Sequence, residues 1–232
     1  MLTFLAAVDS TNEYIKKNAP LENGDGVYSL CQTNGKGRRG RSWVCANGKA
    51  LALSVFISDG SPPLTVPVAA AVAVCEVLRS KAKTDIGIKW PNDIVSDGRK
   101  LAGILCETAV GGYTVGIGIN LFQNENDFTG LPYAVSLKML GSDEINAEAL
   151  VKSITERLTE LLKTGADEIR DRFARYCVTV GKEIKVITPL CEYRAQATGI
   201  GSDGSLTIEH DGKTENLISG EVSVRGIYGY DG

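Results

Sequence analysis

The chain has 232 residues, 43% of them hydrophobic and 23% charged, with a formal net charge of −3. That length suits one domain of ordinary size with a small one attached, and the composition is that of a soluble globular protein with enough apolar residues for a substantial core. Six cysteines (Cys31, Cys45, Cys75, Cys106, Cys177, Cys191) are scattered without a C-x-x-C pair, and the one histidine, His210, stands beside the turn Asp211-Gly212; this argues against a zinc site and histidine acid–base chemistry, and for reduced, mostly buried thiols in a cytoplasmic protein.

In chain order, Met1 to Asp9 is apolar but short and lacks a leading basic segment, so it is not expected to act as a signal peptide. Ser10 and Glu13 have capping-box spacing and open a short helix to about Lys17. Asn23-Gly24-Asp25-Gly26 reads as a turn, and Val27 to Gln32 as a strand leading into a charged loop. Ala50 to Ser58 reads as a largely buried strand. A helix from Ser61-Pro62-Pro63 to about Lys81 carries alanine and valine on most sides, which predicts burial. Its richest apolar run, Val66 to Val74, is interrupted by Pro67 and too short to span a bilayer. Strands follow near Ile86–Trp90 and Ile94–Ser96, and Ser96-Asp97-Gly98-Arg99 is a hairpin turn. Lys100–Thr108 and Tyr113–Leu121 are further strands. Asn146 caps a helix over Ala147–Thr164 with Leu150, Ile154, Leu158, Leu161 and Leu162 on one face, and Ala166–Tyr176 continues as another. After Gly181, short alternating segments (Glu183–Ile187, Arg194–Ile200, Ser205–His210, Thr214–Ile218, Val222–Ile227) are split by glycine turns, which predicts a small all-β module. The boundary is placed at residue 178.

Four constellations carry chemistry. Gly35-Lys36-Gly37-Arg38-Arg39-Gly40-Arg41-Ser42-Trp43 packs four cations and three glycines into nine residues of a slightly acidic chain and ends on one of two tryptophans. Its glycines let backbone N–H groups approach a phosphate, its arginines offer forked donors, and Trp43 offers a face for an aromatic base. It is not a P-loop, since Gly-Lys is not followed by Ser or Thr; a solvated basic turn or a nucleic-acid contact are the other readings. Lys89-Trp90-Pro91-Asn92-Asp93 ends a strand where Asp93 can hold a phosphate-bridging cation, or forms an ordinary Asx turn. Lys100 precedes an apolar strand, as a point charge for a developing oxyanion or as an exposed hairpin lysine, and Gly103 behind it allows close approach of a ligand. In Val115-Gly116-Ile117-Gly118-Ile119-Asn120, glycines at every second position leave one strand face bare, either for a flat ligand or for tight packing of the fold itself, and Asn120 shares that face.

In this order, and together with Asp9-Ser10-Thr11-Asn12 and Arg99-Lys100-Leu101-Ala102-Gly103-Ile104-Leu105, these motifs resemble the biotin protein ligases, here the monofunctional type. The resemblance covers nearly the whole chain, because that family ends in a small barrel closing on a segment like Ser219-Gly220-Glu221-Val222-Ser223-Val224-Arg225. It implies an α+β fold. Residues 1–178 would form a mixed β-sheet catalytic domain flanked by helices, of the class II aminoacyl-tRNA synthetase and biotin ligase kind, and residues 179–232 an SH3-like β-barrel.

The resemblance also implies a reaction. Biotin and ATP, with Mg²⁺, would give biotinyl-5′-AMP, and biotin would pass to a lysine of a biotin carboxyl carrier protein domain docked by strand pairing. Lys100, Arg38 and Asp93 would be the catalytic residues, Asp93 also meeting Mg²⁺. Biotin would lie among Ser10, Thr11, Asn12, Gln32, Gly35, Lys36, Gly37, Lys100, Gly103 and Gly116. The adenylate would meet Arg38, Arg39, Arg41, Trp43, Asn92, Asp93 and Asn120, with Glu221 and Arg225 approaching from the C-terminal module. The family loop usually carries arginine where this chain has Lys36, a poor substitute if a forked donor is needed there. Some members carry an N-terminal DNA-binding domain; with Ser10 so near the start, no sequence-specific DNA binding is expected, and no membrane association. A homodimer is left open. The rival readings are a lipoate or octanoate ligase, and a non-catalytic biotin-binding protein on the same scaffold.

Overall fold

The computed structural model describes residues 1–18, 21–43, 48–58, 60, 65–142, 144–188 and 190–218, and the backbone of 223–225. In chain order the elements are β1 (Leu2–Phe4), α1 (Thr11–Lys17), β2 (Gly26–Ser29), β3 (Ala50–Ser58), α2 (Thr65–Arg79), β4 (Gly87–Lys89), β5 (Asp93–Ser96), β6 (Arg99–Ala109), β7 (Gly112–Asn120), α3 (Ala147–Leu161), α4 (Ala166–Tyr176), and then β8 (Glu183–Ile187), β9 (Glu192–Ile200), β10 (Leu206–His210), β11 (Lys213–Leu217) and β12 (Ser223–Arg225). Seven strands form one mixed sheet in the order β1-β2-β3-β7-β6-β5-β4, antiparallel throughout except for the parallel β1–β2 pair. The α+β class expected from the sequence is what the chain adopts.

Alternation along β3 sorts the two faces of this sheet. Leu51, Leu53, Val55 and Ile57 join the main core with the small, fully buried residues of α2 and the leucine face of α3. Phe56 points the other way, onto Ile15 of α1 and Val27. Helices α2, α3 and α4 therefore cover one face, and α1 covers part of the other. The uncovered remainder of that second face holds the site. Half-buried Glu76 on α2 ties the helical layer together, accepting from Arg157 Nε of α3 at 2.6 Å and Arg172 Nη1 of α4 at 3.1 Å.

The C-terminal residues form a second, antiparallel sheet in the order β11-β10-β9-β8-β12. Among the described residues no ladder joins β11 to β12, so the sheet is open. It is not packed apart from the first: Ile184, Val186, Ala195, Ala197, Leu206, Ile208 and Leu217 belong to the same buried cluster as the main core. Two hydrogen bonds fix the junction. Trp90 N donates to Thr179 Oγ1 and Trp90 Nε1 donates to the Gly204 carbonyl, both at 3.0 Å.

Several boundaries move from where the sequence places them. Strand β2 stops at Ser29 and does not reach Gln32, because Ser29 Oγ accepts from Cys31 N and donates to Cys31 O, a local turn that competes with the ladder. Strand β1 was not anticipated; Leu2, Thr3 and Phe4 pair with Gly26, Val27 and Tyr28. Helix α3 ends at Leu161, whose carbonyl accepts from both N and Oγ1 of Thr164. The expected start of α2 at residues 61–63 lies outside the described residues. The Ser96–Arg99 hairpin has Asp97 at φ 46° and Gly98 at φ 73°, the two positive angles a tight primed turn requires. Of the cysteines, Cys45 lies outside the described residues, Cys75 and Cys177 are buried, Cys31 and Cys106 half-buried and Cys191 exposed; burial pushes the Cys75 thiol up to about 12. Among the described residues no helix is long and apolar enough to cross a membrane.

Candidate functional site

Strands β3, β7, β6, β5 and β4 lay one row of residues across the open face of the large sheet. Ala52, Gly118, Gly103, Asp93 and Lys89 are successive partners in the ladders. The neighbouring row runs Ser54, Gly116 and Leu105. Partners in register share a face, so the middle of this floor is bare backbone and its far edge is charged. The floor underlies a cleft of about 410 Å³.

Lys100 reaches the cleft through an irregularity. Strict alternation would put it on the opposite face from Gly103. The ladder shifts register between Ile94 and Val95: Ile94 pairs with Ala102 but Val95 pairs with Lys100, leaving Leu101 as an extra residue. Leu101 goes into the core and Lys100 lines the cleft, the re-aiming that a bulge performs. Its Nζ lies 2.7 Å from Asp93 Oδ1. Its backbone is clamped on the other side, N donating to the Tyr133 carbonyl at 2.6 Å and O accepting from Val135 N at 3.0 Å.

The glycine face is partly filled from within the chain. The Trp43 ring lies on Gly118, where a methyl group would overlap it, and Asn12 lies on Gly116 in the same way. Lys100 Nζ stands 5.7 Å from the centre of the Trp43 ring, within cation–π range. Trp43 Nε1 is buried without a hydrogen-bond partner, an orphan donor whose desolvation a ligand acceptor would relieve.

At the other end, the first turn of α1 presents Ser10, Thr11 and Asn12. Thr11 donates from N and Oγ1 to Gln32 Oε1, at 2.9 and 3.1 Å. Ser54 Oγ lies 2.8 Å from Thr11 Oγ1 and 2.6 Å from Asn12 Oδ1. Asn12 Nδ2 donates to Glu107 Oε2 at 2.7 Å. The polar end of the cleft is thus fixed by a network in which the orientation of each amide is set by its partners.

The basic loop crosses between these two ends. It is folded on itself by Gly37 N donating to the Arg41 carbonyl at 2.7 Å and Trp43 N donating to the Gly35 carbonyl at 2.9 Å, around a short turn in which Arg39 takes φ 56°. Lys36 Nζ pairs with Glu13 Oε1 at 2.9 Å. Arg38 Nη1 donates to Asn92 Oδ1 at 2.9 Å, and Asn92 Nδ2 donates to the Ile104 carbonyl at 2.8 Å. Burial, set against the attraction of Asp93 and reinforced by Arg39 and Arg41, pulls the Arg38 pKa below its ordinary value.

Of the residues singled out from sequence, Ser10, Thr11, Asn12, Gln32, Lys36, Gly37, Arg38, Arg39, Arg41, Trp43, Asn92, Asp93, Lys100, Gly103 and Gly116 come together around this one cleft. Gly35 stands behind it, packed where a Cβ would meet Gln32 and the Trp43 backbone. Asn120 stays out of the lining; its Nδ2 donates to the Val135 carbonyl at 3.1 Å and its Oδ1 accepts from Gln123 Nε2 at 3.2 Å. Glu221 lies outside the described residues, and for Arg225 only the backbone is described, paired with Lys185. Sequence reading missed Ser54 and Glu107, which hold Asn12, and it named Lys89 in the Lys89–Asp93 segment without a role, though Lys89 is buried and lines the cleft. Ser54 had one signal: a hydroxyl in an otherwise apolar buried strand needs a partner.

The described lining holds six cations (Lys36, Arg38, Arg39, Arg41, Lys89, Lys100) and one carboxylate, Asp93. Such a cleft suits a polyanion. Among the described residues no three of His, Cys, Asp and Glu gather as metal ligands. One carboxylate fits a Mg²⁺ ion that arrives on phosphate oxygens and keeps its waters, not an ion held by protein alone.

Comparison with known proteins agrees with this geometry. Residues 4–124 match the model of the Biotin/lipoate A/B protein ligase family. The biotin–[acetyl-CoA-carboxylase] ligase of Mycobacterium tuberculosis is 30% identical over 239 residues, covering 95% of this chain and 88% of the relative. The bifunctional ligase/repressor BirA of Escherichia coli is 28% identical over 234 residues, covering 95% of this chain and 73% of the relative. A solved biotin protein ligase from Aquifex aeolicus, in complex with biotin and ATP, superposes with a TM-score of 0.87 at 26% identity, over 97% of this chain and 98% of that one.

Proposed function

The chain belongs to the biotin/lipoate A/B protein ligase family, and on that premise we propose that it is a biotin protein ligase that makes biotinyl-5′-AMP and passes biotin to a lysine of a biotin carboxyl carrier protein domain. The observation that carries this reading is the meeting of Lys100, Asp93, Trp43 and the basic loop over one glycine floor. A carboxylate and a triphosphate repel each other, so a cleft with six cations is what brings them together.

In the first step a biotin carboxylate oxygen attacks the α-phosphorus and the bond to pyrophosphate breaks. Lys100 and Arg38 would offset the charge that builds on the phosphoryl oxygens. Mg²⁺ bound to ATP would neutralise charge on the departing pyrophosphate, with Asp93 as its protein contact. Ser10, Thr11, Asn12 and Gln32 would take the polar ring of biotin. Gly103, Gly116 and the loop backbone at Gly35, Lys36 and Gly37 would lie along it. Trp43 would stack on the adenine, with Arg39, Arg41 and Asn92 around the nucleotide. Glu221 and Arg225 would approach from the C-terminal sheet, which in this reading is an SH3-like module beginning at residue 179 after a catalytic domain of 1–178.

In the second step the lysine amine attacks the acyl carbon of the mixed anhydride and AMP leaves with the carbonyl–oxygen bond broken. AMP is already a good leaving group, so this step needs orientation and exclusion of water more than a strong base. That suits a cleft without histidine. The reading is tested by pyrophosphate release with ATP and biotin against ATP and lipoate, followed by transfer of labelled biotin to a carrier domain. Release with lipoate alone would point to the lipoate reaction, and no release with either to a binding protein.

A further inference from the structure

The Ser10–Glu13 spacing predicts that Glu13 returns to the helix start. Ser10 Oγ does accept from Glu13 N, at 3.4 Å, but Ser10 N donates to Asp9 Oδ1 at 2.7 Å, so the Glu13 carboxylate is released from capping. It turns instead to two lysines. Glu13 Oε1 lies 2.9 Å from Lys36 Nζ on the loop and 3.3 Å from Lys16 Nζ on its own helix. Lys16 Nζ continues to Glu107 Oε1 on β6 at 2.7 Å, and Glu107 Oε2 accepts from Asn12 Nδ2 at 2.7 Å. An unbroken polar chain, Lys36–Glu13–Lys16–Glu107–Asn12, thus runs from the basic loop down to the floor. On the opposite wall the loop is held by Arg38 on Asn92. The two attachments straddle the cleft.

We propose that Glu13 is a positioning residue for the adenylation reaction: by holding Lys36 it fixes the near end of the basic loop across the cleft before any ligand binds. This rests on the ligase reading for its consequence in catalysis, but not for the latch itself. It also accounts for lysine at position 36. A single ammonium on a long stem suffices to reach one carboxylate oxygen, and no forked donor is needed for that task. Glu13 and Lys36 are 25% and 48% exposed, so the pair is screened and its effect modest, and it should fade with salt.

The test uses the full chain with Glu13→Ala, Lys36→Ala and the double variant. An arginine-specific protease reports opening of the loop at Arg38–Arg41 without ligand. Each single variant is expected to be cut about threefold to fivefold faster than wild type at low salt, corresponding to about 0.7–1 kcal/mol. The double variant should be cut no faster than either single one, because both remove the same contact. The difference from wild type should vanish near 1 M salt. Unchanged cleavage in Glu13→Ala, or multiplying effects in the double variant, would overturn the latch. Pyrophosphate release then gives the consequence: KM for ATP raised about threefold to fivefold in Glu13→Ala with kcat within twofold. Loss of kcat with KM unchanged would overturn the positioning role. No pyrophosphate from wild type would sink the ligase reading and leave the cleavage result to decide the latch alone.

Discussion

The floor and the lid of the cleft both aim cations at the same space, but they are held differently. Lys89, Asp93 and Lys100 sit on adjacent strands: Asp93 pairs with both β4 and β6, Lys89 on the edge strand β4 pairs with β5, and Lys100 is held between β5 and the backbone of Tyr133 and Val135. The loop carrying Lys36, Arg38, Arg39 and Arg41 is fixed to the two walls through side chains, at Glu13 and Asn92. Ladder-held groups need no reorganisation at the moment of reaction, which is what electrostatic stabilisation of a transition state requires. A loop on a few side-chain bonds opens at small cost, which is what substrate entry and product release require. The molecule divides the work accordingly.

The largest effect is expected on the floor. Lys100→Ala should slow pyrophosphate release at least a hundredfold, about 2.7 kcal/mol of barrier, measured in single turnover with saturating biotin and ATP. Wild-type turnover in that variant would break the distinction between floor and lid. Arg38→Lys keeps the charge on the loop and loses the fork; about tenfold in kcat/KM is expected, with most of it in KM for ATP. A loss equal to that of Lys100→Ala would mean the lid is as much part of the chemistry as the floor.

Gly118→Ala joins the two regions, because the added methyl overlaps the Trp43 ring and must displace it. It should weaken nucleotide binding by about fivefold to tenfold, the scale of losing one stacked base contact, while calorimetric binding of biotin alone changes less than twofold. Equal losses for both would place Trp43 over the whole cleft. The smallest effect is in pH. Hydrogen bonds from Lys36 and Lys16 hold the Glu13 pKa below its ordinary 4.5. A carboxylate with a depressed folded pKa contributes above the ordinary value and loses that contribution as pH falls through the depressed one. Hydrogen exchange across 36–42, compared with Glu13→Ala at each pH, should show wild-type protection above pH 4.5 and convergence of the two below it. Floor strands should show no such dependence.

Much of this site was legible because it is written locally. Cations and glycines crowd one loop, glycines alternate in β7, and Pro91-Asn92-Asp93 breaks a strand where a ligand can be met. What local reading lost was competition between partners. Glu13 carries a capping-box signature, yet Asp9 takes its place at Ser10 N. Ser29 ends β2 early by bonding to Cys31. Asn120 shares the glycine face by count, but Val135 and Gln123 claim its amide. Ser54 and Glu107 gave almost no signal, since their value lies in reaching Asn12 from strands far away in sequence.

The sequence by itself determined the order of the motifs and the kind of ligand they suit, because hydrophobic period, turn residues and charge density are properties of short stretches, and the class of the fold followed from the family resemblance those motifs carry. Tertiary structure decided which face Lys100 shows and which carboxylate it meets. The extra residue Leu101 is absorbed only when β5 pairs with β6, and that shift turns the lysine out of the alternation and onto Asp93. It decided too that Lys36 would answer Glu13, because the distance between a helix start and a loop exists only once both are packed on the same sheet.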